Sequence, residues 1–364
     1  MLRSRKEWRA MTHKEQTGFT LLETMVSLVV LLAVSAIVMG GMNQMMKTQG
    51  TVANRTEMHT SVRDATEVLE QEIGQAGKIS LPTPPPGTPT WLMLTPVFVP
   101  KDVPVTQPGV VFSPGLTTLF DNEQLLVDTG ANQETITITC GPPAAPTPGA
   151  CTNTWTAGPF YNTHNNLLAG VPISAPGAFS TGIVPPAPGI TAGYAGYTNC
   201  VAAPCGSTDR VLKLYGDING DGNMMYVEYT CNPGTPAAPG FLYRQQMPFN
   251  GAAGSKLPVA PSMVVLSNVL VSTTPAGAVV PCFTYQVVTV GTNPDFAFVT
   301  DVAVTLTVQT QLQDPQTHQF QQETKALLNV SPRNVFNAFL LARQNNTNRV
   351  QAMPLVTKTN LLYP

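Results

Sequence analysis

Between Phe19 and Met42 the chain runs through 24 residues whose only charge is Glu23. At about 1.5 Å per residue, a helix of that length crosses a hydrocarbon core of about 30 Å. After Lys47 the pattern becomes amphipathic, with Val62, Ala65, Val68, Leu69, Ile73 and Ala76 recurring at threes and fours. Arg63, Asp64, Glu67, Glu70 and Glu72 then fall on the polar face. One helix is predicted from Phe19 to about Gly77, too long for an ordinary globular helix. Gly40-Gly41 interrupts its apolar half at about 1 kcal/mol per glycine, which predicts local loosening or close helix packing.

Pro82, Pro84, Pro85, Pro86 and Pro89 exclude further helix and mark a linker. Beyond it, short runs rich in Val, Ile, Thr and Tyr alternate with Pro/Gly loops, predicting antiparallel strands at 91–99, 124–127, 134–139, 210–215, 225–230 and 241–245. The clearest strand is 301–309, with Val302, Val304, Leu306 and Val308 on its buried face. Residues 319–330 read as its hairpin partner across a turn at Gln313-Asp314-Pro315-Gln316. Segments 141–150, 158–190 and 232–240 read as loops with little core-forming capacity. The last residues form a tail, with one short helix after Pro332 or a simple docking against the β domain. The fold class is therefore α+β: a long N-terminal membrane-spanning helix and an antiparallel β head with Pro/Gly-rich insertions. Its segments are 1–18, 19–43, 44–80, 81–90, 91–330 and 331–364.

Composition sharpens this. The 364 residues suffice for a sizeable core, and charged residues are only 11%. Residues 1–18 hold five basic and two acidic side chains, a net +3, which places them in the cytoplasm and the head on the outer side. The remaining 14 basic and 19 acidic residues leave −5, which argues against nucleic-acid binding. An ordinary cleaved secretory signal would have a shorter apolar stretch followed by small residues. All six cysteines lie outside CxxC spacing, which fits an oxidising compartment and not a zinc site. Local bridges Cys140–Cys151 and Cys200–Cys205 would leave Cys231 for Cys282, one of fifteen pairings.

Gly18-Phe19-Thr20-Leu21-Leu22-Glu23 resembles the prepilin cleavage and methylation motif of type IV pilins and of type II secretion pseudopilins. That resemblance implies cleavage after Gly18 by prepilin peptidase, N-methylation of Phe19, and retention of the apolar helix as anchor in the inner membrane. It also implies that Glu23 is an assembly residue, meeting the N-terminal ammonium of a neighbouring pilin in a helical filament. The alternative is a carboxylate snorkelling to the cytoplasmic interface at the favourable end of the helix dipole. Residues 69–77 and Leu328 to Asn334 further resemble PilW-like minor pilins. The expected function is a minor pilin, extracted by the inner-membrane assembly platform into a cell-surface pilus. A GspJ-like pseudopilin and an anchored calcium-binding adhesin or hydrolase outside any filament are the alternatives.

One other constellation stands out. Asp217, Asn219, Asp221, Gly222, Asn223 and Glu228 fit the twelve-residue calcium loop D-x-[DN]-x-[DN]-G-x5-E, with the alternative of a plain Asp/Gly hairpin turn and Glu228 in solvent. Any Ca2+ there would be structural. No catalytic motif is present, and the four histidines are dispersed, so no enzymatic activity is expected.

Overall fold

The structure, a computed structural model, describes residues 18, 20–84, 86–88, 90–113, 116, 118–140, 154–165, 170–186, 205–252, 254–291, 296–354, 357 and 361. The leader before Gly18, Phe19, the 141–150 segment, Cys151 and Cys200 lie outside them.

Helix α1 (Leu21–Gln75) runs unbroken for 55 residues, about 82 Å. Gly40 and Gly41 are helical like their neighbours, with nothing within 4 Å of where a Cβ would sit. The buried stripe of its outer half is Met58, Val62, Ala65, Leu69 and Ile73, continued by Ala76 just past the helix end. Two expectations need correcting. Val68 is exposed and Glu72 is buried. At about 100° per residue Glu72 lies about 60° from Leu69 around the helix and Val68 about 100°, so a stripe centred on Leu69 takes in the glutamate and leaves out the valine.

The head is built on two sheets. The first joins β1 (Trp91–Met93), β2 (Val105–Val111), β3 (Glu123–Val127), β4 (Glu134–Cys140), β5 (Thr154–Phe160) and β6 (Val171–Ser174) in the order β1-β6-β3-β4-β5-β2. A bridge between Met93 and Phe112, with the Leu94 N–H donating to the Val111 carbonyl at 2.8 Å, closes it into a small barrel. Trp91, Met93, Val110, Leu125, Ile138, Trp155, Phe160 and Ile173 fill the interior.

This corrects the loop expected over 158–190. Phe160, Val171 and Ile173 are barrel core, while Phe179 of β7 (Ala178–Phe179) and nearby Ile183 and Val184 are fully buried against the second sheet. Prolines hid these strands. Pro172 lacks an N–H, yet its carbonyl accepts the Asp128 N–H at 2.9 Å while Val171 and Ile173 point inward.

The second sheet contains β8 (Val211–Gly216), β9 (Met225–Asn232), β10 (Gly240–Pro248), β11 (Val264–Leu270), β14 (Phe283–Val290), β15 (Phe296–Gln309) and β16 (Gln322–Val330). Its order is β14-β15-β11-β10-β9-β8, with β16 on the outer side of β15. It rolls so far that the Phe283 N–H reaches the Asp209 carbonyl just ahead of β8. A small hairpin, β12 (Ser272–Thr273) and β13 (Val279–Val280), stands beside it. Val302, Val304, Leu306 and Val308 face inward as the alternation predicted, and the stripe of α1 packs on them. The turn at 313–316 is part of a longer connection, 310–321, laid against α1: Asp314 accepts the Thr51 hydroxyl at 3.1 Å and Gln321 accepts from Arg55.

The tail supplies both a helix and a dock. Helix α2 (Arg333–Arg343) buries Val335, Ala338, Phe339 and Ala342, and β17 (Val350–Gln351) pairs in parallel with β7. Gly77 ends α1 at φ +81°, where a Cβ would lie 2.8 Å from a Val335 methyl, so glycine lets the chain turn beneath α2.

Candidate processing site and polar clusters of the head

Gly18 and Thr20 lie outside the helix and are exposed. Thr20 caps α1: its hydroxyl accepts the Glu23 N–H at 3.3 Å, and the residue keeps an extended conformation (φ −70°, ψ 148°). The helix therefore starts at Leu21, and Glu23 stands in its first turn, where an acidic group meets the positive end of the helix dipole. From Leu21 to Val52 every large apolar side chain is exposed, by 52 to 79%. An apolar surface of this extent requires lipid or protein around it.

The family model described as the prokaryotic N-terminal methylation motif matches residues 13–39. The chain carries a prepilin-type motif. No curated protein and no solved structure matches the chain. The prepilin motif and the apolar helix support a type IV pilin or pseudopilin anchored in the inner membrane and processed by prepilin peptidase. The architecture, a long apolar N-terminal helix followed by antiparallel sheets, is that of a type IV pilin-like α+β fold.

The calcium-like residues are not gathered around one point. Asp217 is buried directly after β8, and its carboxylate accepts Lys78 Nζ at 2.8 Å, Ser80 Oγ at 2.7 Å and the Gly222 N–H at 3.2 Å. Burial alone would raise this carboxyl, but the donors from Lys78 and Ser80 hold it below its ordinary value. Asp221 accepts the Asn223 N–H, and the Asn219 amide donates toward Met225 Sδ. Glu228 stands apart in the middle of β9, opposite Lys213 of β8 and Gln245 of β10.

Glu228 is also buried, not solvent-facing, accepting Tyr226 Oη at 2.7 Å and Lys256 Nζ at 2.8 Å. Among the described residues no group of three or more His, Cys, Asp or Glu side chains is placed to hold a metal. Asp217 and Glu228 are each paired with a lysine, Lys78 and Lys256, and do not converge on one point. The Asp/Gly segment works as a hairpin turn that ties the end of α1 to β8. On the other sheet positions, burial lowers the Lys213 ammonium to about 8, with Glu228 opposing the shift.

Cys231 is bonded to Cys282, as the spacing implied. Cys140 and Cys205 are also disulfide-bonded. The pairings Cys140–Cys151 and Cys200–Cys205 each involve a residue outside those described.

Two clusters escaped the sequence reading. Glu72 of α1 accepts Arg244 Nε at 2.9 Å, Arg244 Nη2 at 2.5 Å and Tyr229 Oη at 2.6 Å. This bidentate, nearly buried pair sets the register of the helix on β9 and β10. Tyr243-Arg244 was read as strand, but nothing local says that Arg244 points inward. The second cluster is in the barrel: His164, fully buried, places Nδ1 2.9 Å from Asp128 and Nε2 2.6 Å from Glu134. Both ring nitrogens are engaged by carboxylates, and the cluster fastens the end of the barrel. Its three members come from separate strand ends, which no sequence spacing reveals.

Proposed function

We propose that the chain is a PilW-like minor pilin of a type IV pilus. The observation that carries the reading is the prepilin motif at 13–39 joined to a helix whose inner half exposes a largely apolar surface with Glu23 as its only charge before Lys47, while one stripe of its outer half is buried in a large head. In this reading prepilin peptidase cuts after Gly18 and methylates Phe19. The apolar half-helix holds the subunit in the inner membrane until the assembly platform moves it into the filament. There Leu21, Leu22, Val26, Leu28, Val29, Leu31 and Ile37 pack against neighbouring helices, and Glu23 meets a neighbour's N-terminal ammonium. A lone carboxylate among apolar helices requires such a partner, which is why Glu23 sets the register between subunits. The bulky disulfide-bonded head suits a low-copy priming or tip subunit at the cell surface, with a structural and not an enzymatic role.

Mass spectrometry of the N-terminal peptide from native membranes and from sheared surface filaments tests this. A peptide beginning at methylated Phe19 in both fractions is the expected result, and an intact leader overturns it. Pilus counts in a strain lacking the protein test priming: unchanged numbers exclude it. Intact pili with defective protein secretion would transfer the protein to the pseudopilins.

A further inference from the structure

Backbone hydrogen bonds close the other margins of the two sheets. The Met93–Phe112 bridge shuts the barrel, the Val184 N–H donates to the Lys213 carbonyl at 2.9 Å on the outer side of β8, and the Phe283 N–H of β14 reaches Asp209. Strand β16 differs. Its nine residues pair with β15 on one side, and among the described residues no backbone group of 322–330 has a partner on the other. Gln322, Thr324, Lys325 and Ala326 stand exposed along it. A row of open N–H and C=O groups of this length is a template for a further strand.

This edge runs alongside α1 and in the same sense. His59 meets Glu323 near the start of β16, and at its end Asn329 and Val330 share a groove with Gln71 and Gly74. Fifteen helical residues and seven strand residues both cover about 23 Å. The groove has a volume of about 890 Å3, with Glu70, Gln71 and Gln75 of α1 on one wall and Asn329, Ser331 and Arg333 on the other. It begins where β16 bulges: Leu328 and Asn329 together oppose Ala303, and Asn329 adopts φ +58°.

The groove carries amides, a hydroxyl and charges but no aromatic ring, which suits a peptide backbone and not a flat apolar ligand. Two of its charges, Glu67 and Lys78, are already paired with Arg63 and Asp217. Glu70 and Arg333 are exposed and take part in no ion pair among the described residues.

We propose that the open edge of β16 and this groove receive an extended segment of another protein, added to the sheet as a further strand between β16 and the flank of α1. Backbone hydrogen bonds to β16 supply the attachment, and an acidic side chain opposite Arg333 and a basic one opposite Glu70 supply the selectivity. A second copy does not fit by symmetric antiparallel pairing. The two-fold axis would stand perpendicular to β16 and hence to α1, pointing the two apolar half-helices in opposite directions. That exclusion rests on the reading that α1 spans a membrane; the strand addition itself does not.

The test is photo-crosslinking of the full chain in native membranes, with a benzophenone amino acid placed in turn at Thr324, Ala326, Ser331 and, as control, Val279, which is 67% exposed on β13. The expected result is adducts from the first three positions on one segment of a single protein, those from Thr324 and Ala326 two residues apart, and none on that segment from Val279. A synthetic peptide of that segment, added to the purified full chain in detergent, should slow amide exchange across 322–330, and Arg333→Glu should weaken its binding about tenfold. Adducts scattered over unrelated proteins, no adducts, or a peptide that leaves exchange across 322–330 unchanged overturn the proposal. Adducts on β16 of a second copy overturn it in favour of self-association and refute the common orientation of α1 as well.

Discussion

Residues 21–52 and 58–76 share one unbroken run of backbone hydrogen bonds, yet their surroundings are opposite. In the first stretch the large apolar side chains stand open, while in the second Val62, Ala65, Leu69, Ile73 and Ala76 are at most 6% exposed against the rolled sheet. Polar groups follow the same division. Glu72 is surrounded by its own chain's donors, whereas among the described residues Glu23 is held through its backbone, its N–H donating to Thr20 and its carbonyl accepting from Ser27, and its carboxylate has no ion-pair partner. One half of the helix belongs to the folding of this chain, and the other is left for whatever surrounds it. A membrane-anchored subunit that later enters a filament needs that division, because a surface satisfied at home cannot be exchanged between lipid and protein neighbours.

The sharpest way to break the comparison is to remove one partner of the charged lock. Arg244→Ala strands Glu72 and Tyr229 in the interface, and a loss of about 3–5 kcal/mol is expected in denaturant unfolding of the head. Next, Leu69→Ala should cost about 2–5 kcal/mol through the cavity it leaves, while Leu31→Ala in the open half should shift the same transition by less than about 0.5 kcal/mol. Equal effects would mean that the two halves are not independent. Replacing both Cys231 and Cys282 with serine should cost about 2–4 kcal/mol.

Titration sharpens the picture further. Burial pushes the Glu123 carboxyl up to about 8, from an ordinary 4.5, with the Phe120 N–H opposing the shift. The folded protein keeps it protonated, so its contribution is fully present below about 4.5 and is lost as pH rises toward about 8, at about 1.4 kcal/mol per pH unit. Unfolding midpoints across this window should fall in the native protein and flatten in Glu123→Gln. Asp217 acts with the opposite sign. Its carboxyl is held low in the fold, so stability is lost as pH falls through that value, and Asp217→Asn should weaken the acid sensitivity. The smallest expected change belongs to Glu23→Ala, which should leave the unfolding transition where it was and remove the protein from sheared filaments. Retention in filaments would refute the assembly role.

What could be read without coordinates was strongly periodic or strictly local. The alternation of Val302, Val304, Leu306 and Val308 placed β15 correctly, and the Cys231–Cys282 pairing followed from spacing. The barrel was obscured by Pro108, Pro159 and Pro172, which occupy strand positions because closure and bulges leave sites where no N–H is required. The spacing of the calcium-like loop likewise says nothing of where its side chains end up. Spacing placed Glu228 at the twelfth position, but the β8–β9 register carried it along the strand to Lys256, while Lys78 from beyond α1 reached Asp217.

The sequence alone settles the prepilin motif, the apolar span and the single charge within it, because these depend on consecutive residues meeting a uniform medium. It does not say that Glu72 faces Arg244, that His164 sits between Asp128 and Glu134, or that the 310–321 tip rests beside Thr48. Those contacts join residues 30 to 268 positions apart. Such pairs exist only once sheet register and helix rotation have been chosen together, and that choice is made by the packed core as a whole.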